Sequence, residues 1–241
     1  MAGKVCAIIG AGEGLGRALA ARFAREGMDL ALVSRSEEGS SAAASAARAE
    51  GVRTAFFSAD ADRPETIEAA LATVRTELGQ PDVLIYNVRD AFTRCEPLDM
   101  SYADLEAVLR LEVVGAFAAA KAVLPDMRAR GQGTILYSSA TAAFRGSAIH
   151  PLYAIGKFGL RGLSQSLAKA YGKDGVHIAH IRLDCDLDVP IMKELYGERY
   201  DEAVLADPDE IADTYWWVHA QPKSAWSNEV ELRPSGETWT I

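Results

Sequence analysis

Short apolar runs alternate along the chain with longer stretches of helical spacing. Seven runs have the length and composition of buried strands, at 5–9, 30–34, 53–57, 82–86, 133–139, 176–183 and 229–233. Five helical stretches lie among them, at 14–26, 37–50, 64–78, 102–129 and 153–172. Strands that alternate with helices of this length predict right-handed crossovers and a parallel sheet covered on both faces. The pattern therefore predicts an α/β fold of the doubly wound type.

Composition narrows the domain count and the partners. An apolar share of 49% suits a globular core, and no Pro-, Ser- or charge-rich linker divides the chain, so one domain over residues 1–241 is expected. The chain has 25 basic and 34 acidic side chains, a net charge of −9, and no run of Lys or Arg. This balance argues against a nucleic-acid partner.

The N-terminal region and the cysteines bear on the compartment. The apolar run at 5–9 is too short for a signal sequence or a membrane span. Cys6, Cys95 and Cys185 lie far apart and form no CxxC pair. Free thiols of this kind are typical of a reducing compartment, so we expect a cytoplasmic protein with no membrane partner.

A glycine-rich turn, GAGEGLG, follows the first predicted strand. Gly10, Gly14 and Gly16 have the spacing G-x-x-x-G-x-G, whereas the common dinucleotide pattern G-x-G-x-x-G fails because Leu15 occupies its last glycine position. Glycines permit a tight turn and a close approach to a pyrophosphate, which the free N–H groups of the following helix attract. A plain strand-to-helix turn is the alternative, but the position in the first βαβ unit favours a dinucleotide site.

The end of the second predicted strand indicates which nucleotide is bound. The residue there faces the adenosine ribose, and the chain has Ser34 followed by Arg35, with no carboxylate at the strand end to accept the ribose hydroxyls. These two residues suit a 2′-phosphate, so the sequence predicts that NADP(H) is preferred and that NAD(H) is possible. Glu13, Glu37 and Glu38 oppose the preference, because their charges would repel a phosphate.

The segment PLYAIGK places Tyr153 and Lys157 one helical turn apart. Side chains at i and i+4 share a helix face. The lysine can lower the pKa of the tyrosine from near 10 and hold a ribose hydroxyl, so that the phenol acts as a general acid or base. The alternative is a chance pair, with the tyrosine in the core and the lysine in water, but the adjacent nucleotide motif favours chemistry.

With four further motifs, these residues resemble the short-chain dehydrogenase/reductase family over essentially the whole chain. The motifs are SADAD, DVLIYN, VGAFAAAKAVLPDM and GTILYSSA, and the C-terminal segments look like a bacterial subgroup of unknown substrate. The resemblance implies a Rossmann fold and an oxidoreductase in which the nicotinamide transfers a hydride, a tyrosine the proton, and a serine binds the substrate oxygen. The predicted catalytic residues are Ser139, Tyr153 and Lys157, and the predicted cofactor-binding residues are Gly10, Gly14, Leu15, Gly16, Ser34, Arg35, Asp60, Asn87 and Lys157.

The position of the catalytic serine leaves alternatives open. Ser139 fits the second serine of the family's usual pair, but it lies 14 residues before Tyr153, one more than the commonest spacing. Thr141 therefore remains a candidate. The simplest interpretation of Ser138 is a strand hydroxyl bonded to backbone.

Several positions depart from the family pattern. Val88 and Arg89 replace small residues beside the cofactor, and Val189 replaces a threonine that binds the nicotinamide amide. Glu112 stands where the family has a catalytic asparagine, so it either substitutes in the proton relay, pairs with Lys157, or is an ordinary surface or interface glutamate. Such departures are also typical of a nucleotide-binding sensor or regulatory subunit that has lost turnover.

The segment 184–202 is predicted to cover the substrate, because ligands of open α/β sheets bind beyond the carboxyl ends of the strands. Its acidic excess predicts a neutral or cationic carbonyl compound or alcohol as substrate. Reduction of a C=N or C=C bond on the same scaffold is the further alternative. Phe144 and His150 are candidate pocket residues.

Four tryptophans lie close to the C-terminus, more aromatic surface than one terminal strand needs. Together with the family resemblance, they predict a homodimer or homotetramer. These residues are Trp216, Trp217, Trp226 and Trp239.

Overall fold

The computed structural model describes residues 3–89, 92–201 and 204–236. Within them, seven strands pair in parallel in one sheet of order β3-β2-β1-β4-β5-β6-β7. The strands are β1 (Val5–Ile9), β2 (Asp29–Ser34), β3 (Thr54–Ser58), β4 (Pro81–Tyr86), β5 (Gly133–Ala140), β6 (Val176–Leu183) and β7 (Glu229–Leu232). The predicted α/β fold with seven parallel strands is confirmed.

Helices cover both faces of the sheet. They are α1 (Leu15–Arg25), α2 (Ser41–Ala49), α3 (Pro64–Glu77), α4 (Tyr102–Leu109), α5 (Gly115–Arg130), α6 (Pro151–Tyr171), α7 (Pro190–Tyr196) and α8 (Pro208–His219). None of the helices in the described part of the chain is both long and apolar enough to cross a bilayer.

Two of these helices were not predicted from the sequence. Helix α7 lies inside the covering segment 184–202, which is therefore not a simple loop. Helix α8 begins after Asp207, whose carboxylate accepts a hydrogen bond from the backbone N–H of Asp209, with a proline in the first helical turn. These helix start signals are present in the sequence.

The central strand β1 packs against both helix layers. Its residues are all buried, as expected for an interior parallel strand. Val5, Ala7 and Ile9 belong to one apolar cluster, and Cys6 and Ile8 belong to the cluster on the opposite face. The glycine-rich turn that follows β1 is thus attached to a strand that is packed on both faces.

The crevice of the sheet lies where β1 and β4 are neighbours. From there the strand order runs outward in two directions, toward β3 and toward β7. Ligands of doubly wound sheets bind at this switch point, beyond the carboxyl ends of the strands. The glycine-rich turn after β1 and the chain after β4 therefore form the two walls of the candidate site.

The predicted helix 102–129 is interrupted by a π-helical segment, Arg110–Val114, between α4 and α5. The hydroxyl of Tyr86 donates a hydrogen bond to the carbonyl of Leu111 at 2.5 Å. Gly115 lies so close to the backbone of Ala61 that a Cβ would stand 2.5 Å from its carbonyl oxygen. These contacts hold the wide turn against the crevice, and π-bulges are frequent at functional sites.

Candidate active site

The glycine-rich turn is formed by close backbone contacts. Gly10 has φ +87°, and a Cβ there would lie 2.5 Å from the carbonyl oxygen of Asn87. A Cβ on Gly16 would lie 2.8 Å from the carbonyl carbon of Ala11. Gly14 caps α1 without a side-chain hydrogen bond. No side chain at Gly14 therefore competes for the first N–H groups of α1. An anion site at a helix N-terminus requires N–H groups of this kind.

A cavity of about 510 Å³ opens beside this turn. Its lining includes five of the predicted cofactor-binding residues, Gly10, Ser34, Arg35, Asp60 and Asn87. Gly14, Leu15 and Gly16 are not on the lining, and the Leu15 side chain is buried in the core beneath α1. The structure thus brings residues from four strand ends to one cavity.

The polar residues of the lining are oriented by local hydrogen bonds. The hydroxyl of Ser34 donates to the carbonyl of Ser36 at 2.8 Å and lies 2.6 Å from the hydroxyl of Ser40, so it braces the turn after β2. Arg35 is exposed at the rim. The amide of Asn87 donates to the carbonyl of Gly10 at 3.0 Å, which joins the two walls of the crevice.

Tyr153 and Lys157 lie in the first turns of α6, and both are buried, with 9% and 2% of their surface exposed. The ammonium nitrogen of Lys157 lies 5.5 Å from the centre of the Tyr153 ring. It donates to Glu112 at 2.8 Å and to the carbonyl of Val88 at 3.3 Å. The alternative that placed the lysine in water is therefore wrong, and Glu112 is the partner of Lys157 rather than a surface residue.

The ionisation of Tyr153 is governed by opposing effects. Burial raises the pKa of Tyr153, the charge of Lys157 lowers it, and the carboxylate of Glu112 raises it again. Lys157 acts in the predicted direction, but the pKa of Tyr153 lies above its ordinary value because burial prevails.

The structure separates the three candidate hydroxyls at the end of β5. Ser138 accepts a hydrogen bond from the Tyr215 hydroxyl at 2.7 Å, so the predicted backbone partner is wrong. The hydroxyl of Thr141 donates to Asp184. Ser139 is 4% exposed, and no group in the described part of the chain hydrogen-bonds its hydroxyl. Of the three hydroxyls, that of Ser139 is therefore the one with its hydrogen-bonding capacity unused.

A charged cluster that no sequence motif indicates adjoins these hydroxyls. Asp184 pairs with Arg233 at 2.5 Å. Arg233 also contacts Glu231, which pairs with Arg182. Through Thr141, this cluster fixes the chain that leaves β5.

The covering segment folds over the glycine-rich turn. The side chain of Val189 stands against Gly14, where a Cβ would lie 2.9 Å from it. Asp186 accepts a hydrogen bond from the Tyr196 hydroxyl at 2.5 Å, and the charge of Asp186 raises the pKa of Tyr153. A charge on the covering segment therefore acts on Tyr153, the predicted proton-transfer residue. Its last predicted residue, Glu202, lies outside the described residues.

The ring of Phe92 contacts both His150 and Tyr153, although no sequence motif indicates Phe92. Phe92 stacks on the His150 ring at 3.8 Å and contacts the Tyr153 ring edge-on at 4.9 Å. Phe144 instead lies under the guanidinium groups of Arg161 and Arg182, at 5.1 and 4.6 Å. A non-glycine residue with positive φ, 57° at Phe92, has no sequence signature.

Two of the C-terminal tryptophans have partners within the chain. Trp216 contacts Phe23 edge-on at 5.4 Å, and Trp226 stacks on His177 at 4.7 Å. Trp217 is 56% exposed, and Trp239 lies outside the described residues. The oligomer stays a prediction that rests on fewer exposed tryptophans than the sequence suggested.

Comparisons with known proteins agree with this geometry. The family model for short chain dehydrogenases matches residues 4–188. The short-chain reductase protein NovJ of Streptomyces niveus is 32% identical over an alignment of 242 residues. The alignment covers 92% of this chain and 89% of NovJ. A short-chain dehydrogenase from Rhodopseudomonas palustris superposes with a TM-score of 0.81 at 29% identity, covering 96% of this chain and 98% of that one. L-Sorbose reductase from Gluconobacter frateurii, complexed with NADPH and L-sorbose, superposes with a TM-score of 0.86 at 25% identity, covering 97% and 96%.

Proposed function

Because the chain belongs to the short-chain dehydrogenase family, we propose that it is an NADP(H)-dependent oxidoreductase acting on a neutral or cationic carbonyl compound or alcohol. The observation that carries the proposal is the buried pair of Tyr153 and Lys157 on α6, in which Lys157 donates a hydrogen bond to the carbonyl of Val88, a residue of the cavity lining. A buried lysine one helical turn from a tyrosine has no packing advantage over an apolar residue, so the pair favours chemistry.

The residues present fit a nicotinamide dinucleotide. The turn at Gly10 and Gly16 has no room for a Cβ, as a close approach of backbone to pyrophosphate requires. Arg35 supplies a cation at the cavity rim for a 2′-phosphate, and Glu13, Glu37 and Glu38 are exposed, where solvent and salt screen their repulsion. When bound, the nicotinamide supplies or accepts the hydride.

The side chains of the chain supply proton transfer and orientation. The Ser139 hydroxyl donates a hydrogen bond to the substrate oxygen. The Tyr153 hydroxyl gives its proton to that oxygen in reduction and takes a proton back in oxidation. Lys157 places a positive charge under the developing phenolate and offers N–H donors to a ribose hydroxyl. The covering segment with Val189 and Asp186 excludes water from the site.

The test is NADPH consumption with a panel of ketones, aldehydes, imines and enones. We expect Tyr153→Phe to lower turnover about 10²- to 10⁴-fold while NADPH still binds, because the phenol supplies the proton. Tyr171→Phe is the matched control, since it removes a hydroxyl at the other end of α6. Turnover that is equal in the Tyr153→Phe and unaltered proteins would exclude Tyr153 as the proton donor. The imine and enone arms test the C=N and C=C alternatives.

One observation favours a second candidate, a nucleotide-binding sensor or regulatory subunit. The ammonium group of Lys157 already bonds to Glu112 and to the carbonyl of Val88, so fewer of its donors remain for a ribose. Both candidates bind NADPH, but only the enzyme consumes it. Tight NADPH binding without consumption by any substrate in the panel would support the sensor.

We place the protein in the cytoplasm as a homodimer or homotetramer. The thiols of Cys6, Cys95 and Cys185 are free, which supports a reducing compartment. The exposed ring of Trp217 supports a subunit contact. Light scattering of the purified protein tests the assembly, and a monomer would exclude it.

A further inference from the structure

The ion pair between Glu112 and Lys157 is unusually deep. The side chains are 0% and 2% exposed, whereas those of the Arg233–Asp184 pair are 10% and 8% exposed. A lone charge at such depth is strongly unfavourable, and here the carboxylate oxygen and the ammonium nitrogen lie 2.8 Å apart. The pair therefore carries a positive and a negative charge in close contact beneath the site.

The backbone of α6 leaves room for the glutamate. Gly156 precedes Lys157, and a Cβ on Gly156 would lie 2.9 Å from Cγ of Glu112 and 3.0 Å from Cγ2 of Val108. The π-helical segment brings Glu112 to this position, and the fully buried side chain has no alternative in solvent. The glutamate thus occupies a fixed place against Gly156 and beside the ammonium group of Lys157.

Four charged groups act on the Tyr153 hydroxyl from the elements around it. Lys157 lies on the same helix, Glu112 on the π-helical segment, Arg89 after β4, and Asp186 on the covering segment. The two cations favour the phenolate and the two carboxylates oppose it. The carboxylate with the greatest effect is Glu112, which directly contacts the cation with the greatest effect.

We propose that Glu112 is a positioning residue that balances the charge of Lys157 and so sets the pH at which Tyr153 exchanges its proton. This rests on the proposed function of Tyr153. An uncharged residue at this position would remove the larger of the two carboxylate effects that oppose Lys157, whereas the glutamate offsets part of the lysine's field. Proton exchange at Tyr153 is thereby moved to a more alkaline pH.

The experiment compares Glu112→Gln, which removes the charge at nearly constant shape, with Glu112→Asp, which keeps it. The readout is the ¹³C NMR titration of the Tyr153 ring carbon that bears the hydroxyl, assigned with Tyr153→Phe. We expect about tenfold more phenolate in Glu112→Gln than in the unaltered protein at the same pH, because the field of Lys157 is no longer offset. The acidic limb of the pH profile for alcohol oxidation should move down by the same amount. Glu112→Asp should stay close to the unaltered protein.

The matched control is Glu68→Gln, which removes the same charge from an exposed pair with Lys121 at 3.0 Å. Its titration should not move. An unchanged titration in Glu112→Gln, or an equal shift in Glu68→Gln, overturns the proposal. If Glu112→Gln does not fold, the double variant Glu112→Gln/Lys157→Met removes both charges, which buried sites often tolerate. Its titration should change little, and a large displacement overturns the balance of charges.

The NMR titration needs no turnover, so failures of the two proposals are distinguishable. If Tyr153→Phe abolishes turnover while Glu112→Gln leaves the titration unmoved, the function stands and the role of Glu112 fails. If Glu112→Gln shifts the Tyr153 titration but neither the unaltered protein nor any variant consumes NADPH, the role of Glu112 stands and the proposed function fails.

Discussion

The two halves of the crevice are built in different ways. The nucleotide half, residues 5–58, offers backbone at Gly10 and Gly16 and an exposed cation at Arg35. The catalytic half, residues 81–183, buries its polar groups, among them Lys157 and Ser139. A site made of backbone needs only small residues at fixed spacing. A site made of buried charges needs a partner for each charge, which comes from a distant part of the chain.

The largest expected effect tests the backbone contact of the nucleotide half. Gly10→Ala should lower the free energy of unfolding by about 4 kcal/mol and abolish NADPH binding, because it adds a clash with Asn87 to the strain of a positive φ. Gly27→Ala is the matched control, since Gly27 has φ +79° and open space where the Cβ would stand. It should cost only about 1–2 kcal/mol. Urea unfolding measures both, and equal losses would contradict the role of the contact.

The next effect separates chemistry from packing in the catalytic half. Ser139→Ala should lower kcat about 10²-fold with little loss of stability, because it removes a donor to the substrate oxygen. Ser138→Ala should leave kcat nearly unchanged. It should lower the free energy of unfolding by about 1–3 kcal/mol, because the buried hydroxyl of Tyr215 loses its partner. Steady-state kinetics and urea unfolding measure the two quantities. A greater loss of kcat in Thr141→Val than in Ser139→Ala would assign the substrate contact to Thr141.

The nucleotide half was largely predictable because its signals are local. Gly10 after β1 and the Ser34–Arg35 pair at the end of β2 line the cavity, although Gly14 and Gly16 do not. The strand pattern placed all seven strands, since buried parallel strands read as apolar runs.

The catalytic half was predictable only in part. The four-residue spacing of Tyr153 and Lys157 follows from the helix period, but the pairing of Lys157 with Glu112 was only one of three alternatives, because it spans 45 positions of sequence. That contact depends on the π-helical segment, which no periodicity announces. The same holds for the Ser138 hydroxyl, whose partner Tyr215 lies on a helix that the strand and helix pattern had not included.

A smaller effect concerns pH, because the nucleotide half has no histidine whereas the catalytic half buries His180. Burial lowers the pKa of His180 from 6.5 to about 4. Between pH 4 and pH 6.5 the unfolded chain binds more protons than the folded chain, so the free energy of unfolding rises with pH. The stability that the neutral His180 contributes is therefore lost as the pH falls from 6.5 toward 4. We expect His180 to contribute about 2 kcal/mol to this change. Urea unfolding at pH 7 and pH 5 should show a smaller difference in His180→Gln, and an equal difference would exclude the histidine as a cause.

The smallest effect tests the exposed cation of the nucleotide half. Arg35→Ser should weaken NADPH binding about tenfold and leave NADH binding unchanged, because an exposed charge in contact with a phosphate contributes on the order of 1 kcal/mol. Arg48→Ser removes the same charge from an exposed position on α2 and should alter neither dissociation constant. Added salt should reduce the NADPH preference of the unaltered protein and not that of Arg35→Ser, since screening acts on the contact that the variant lacks. If Arg35→Ser binds NADPH as tightly as the unaltered protein does, the preference for NADP(H) loses its basis. A turn after β2 that makes no contact with a 2′-phosphate would then favour NAD(H) as the cofactor.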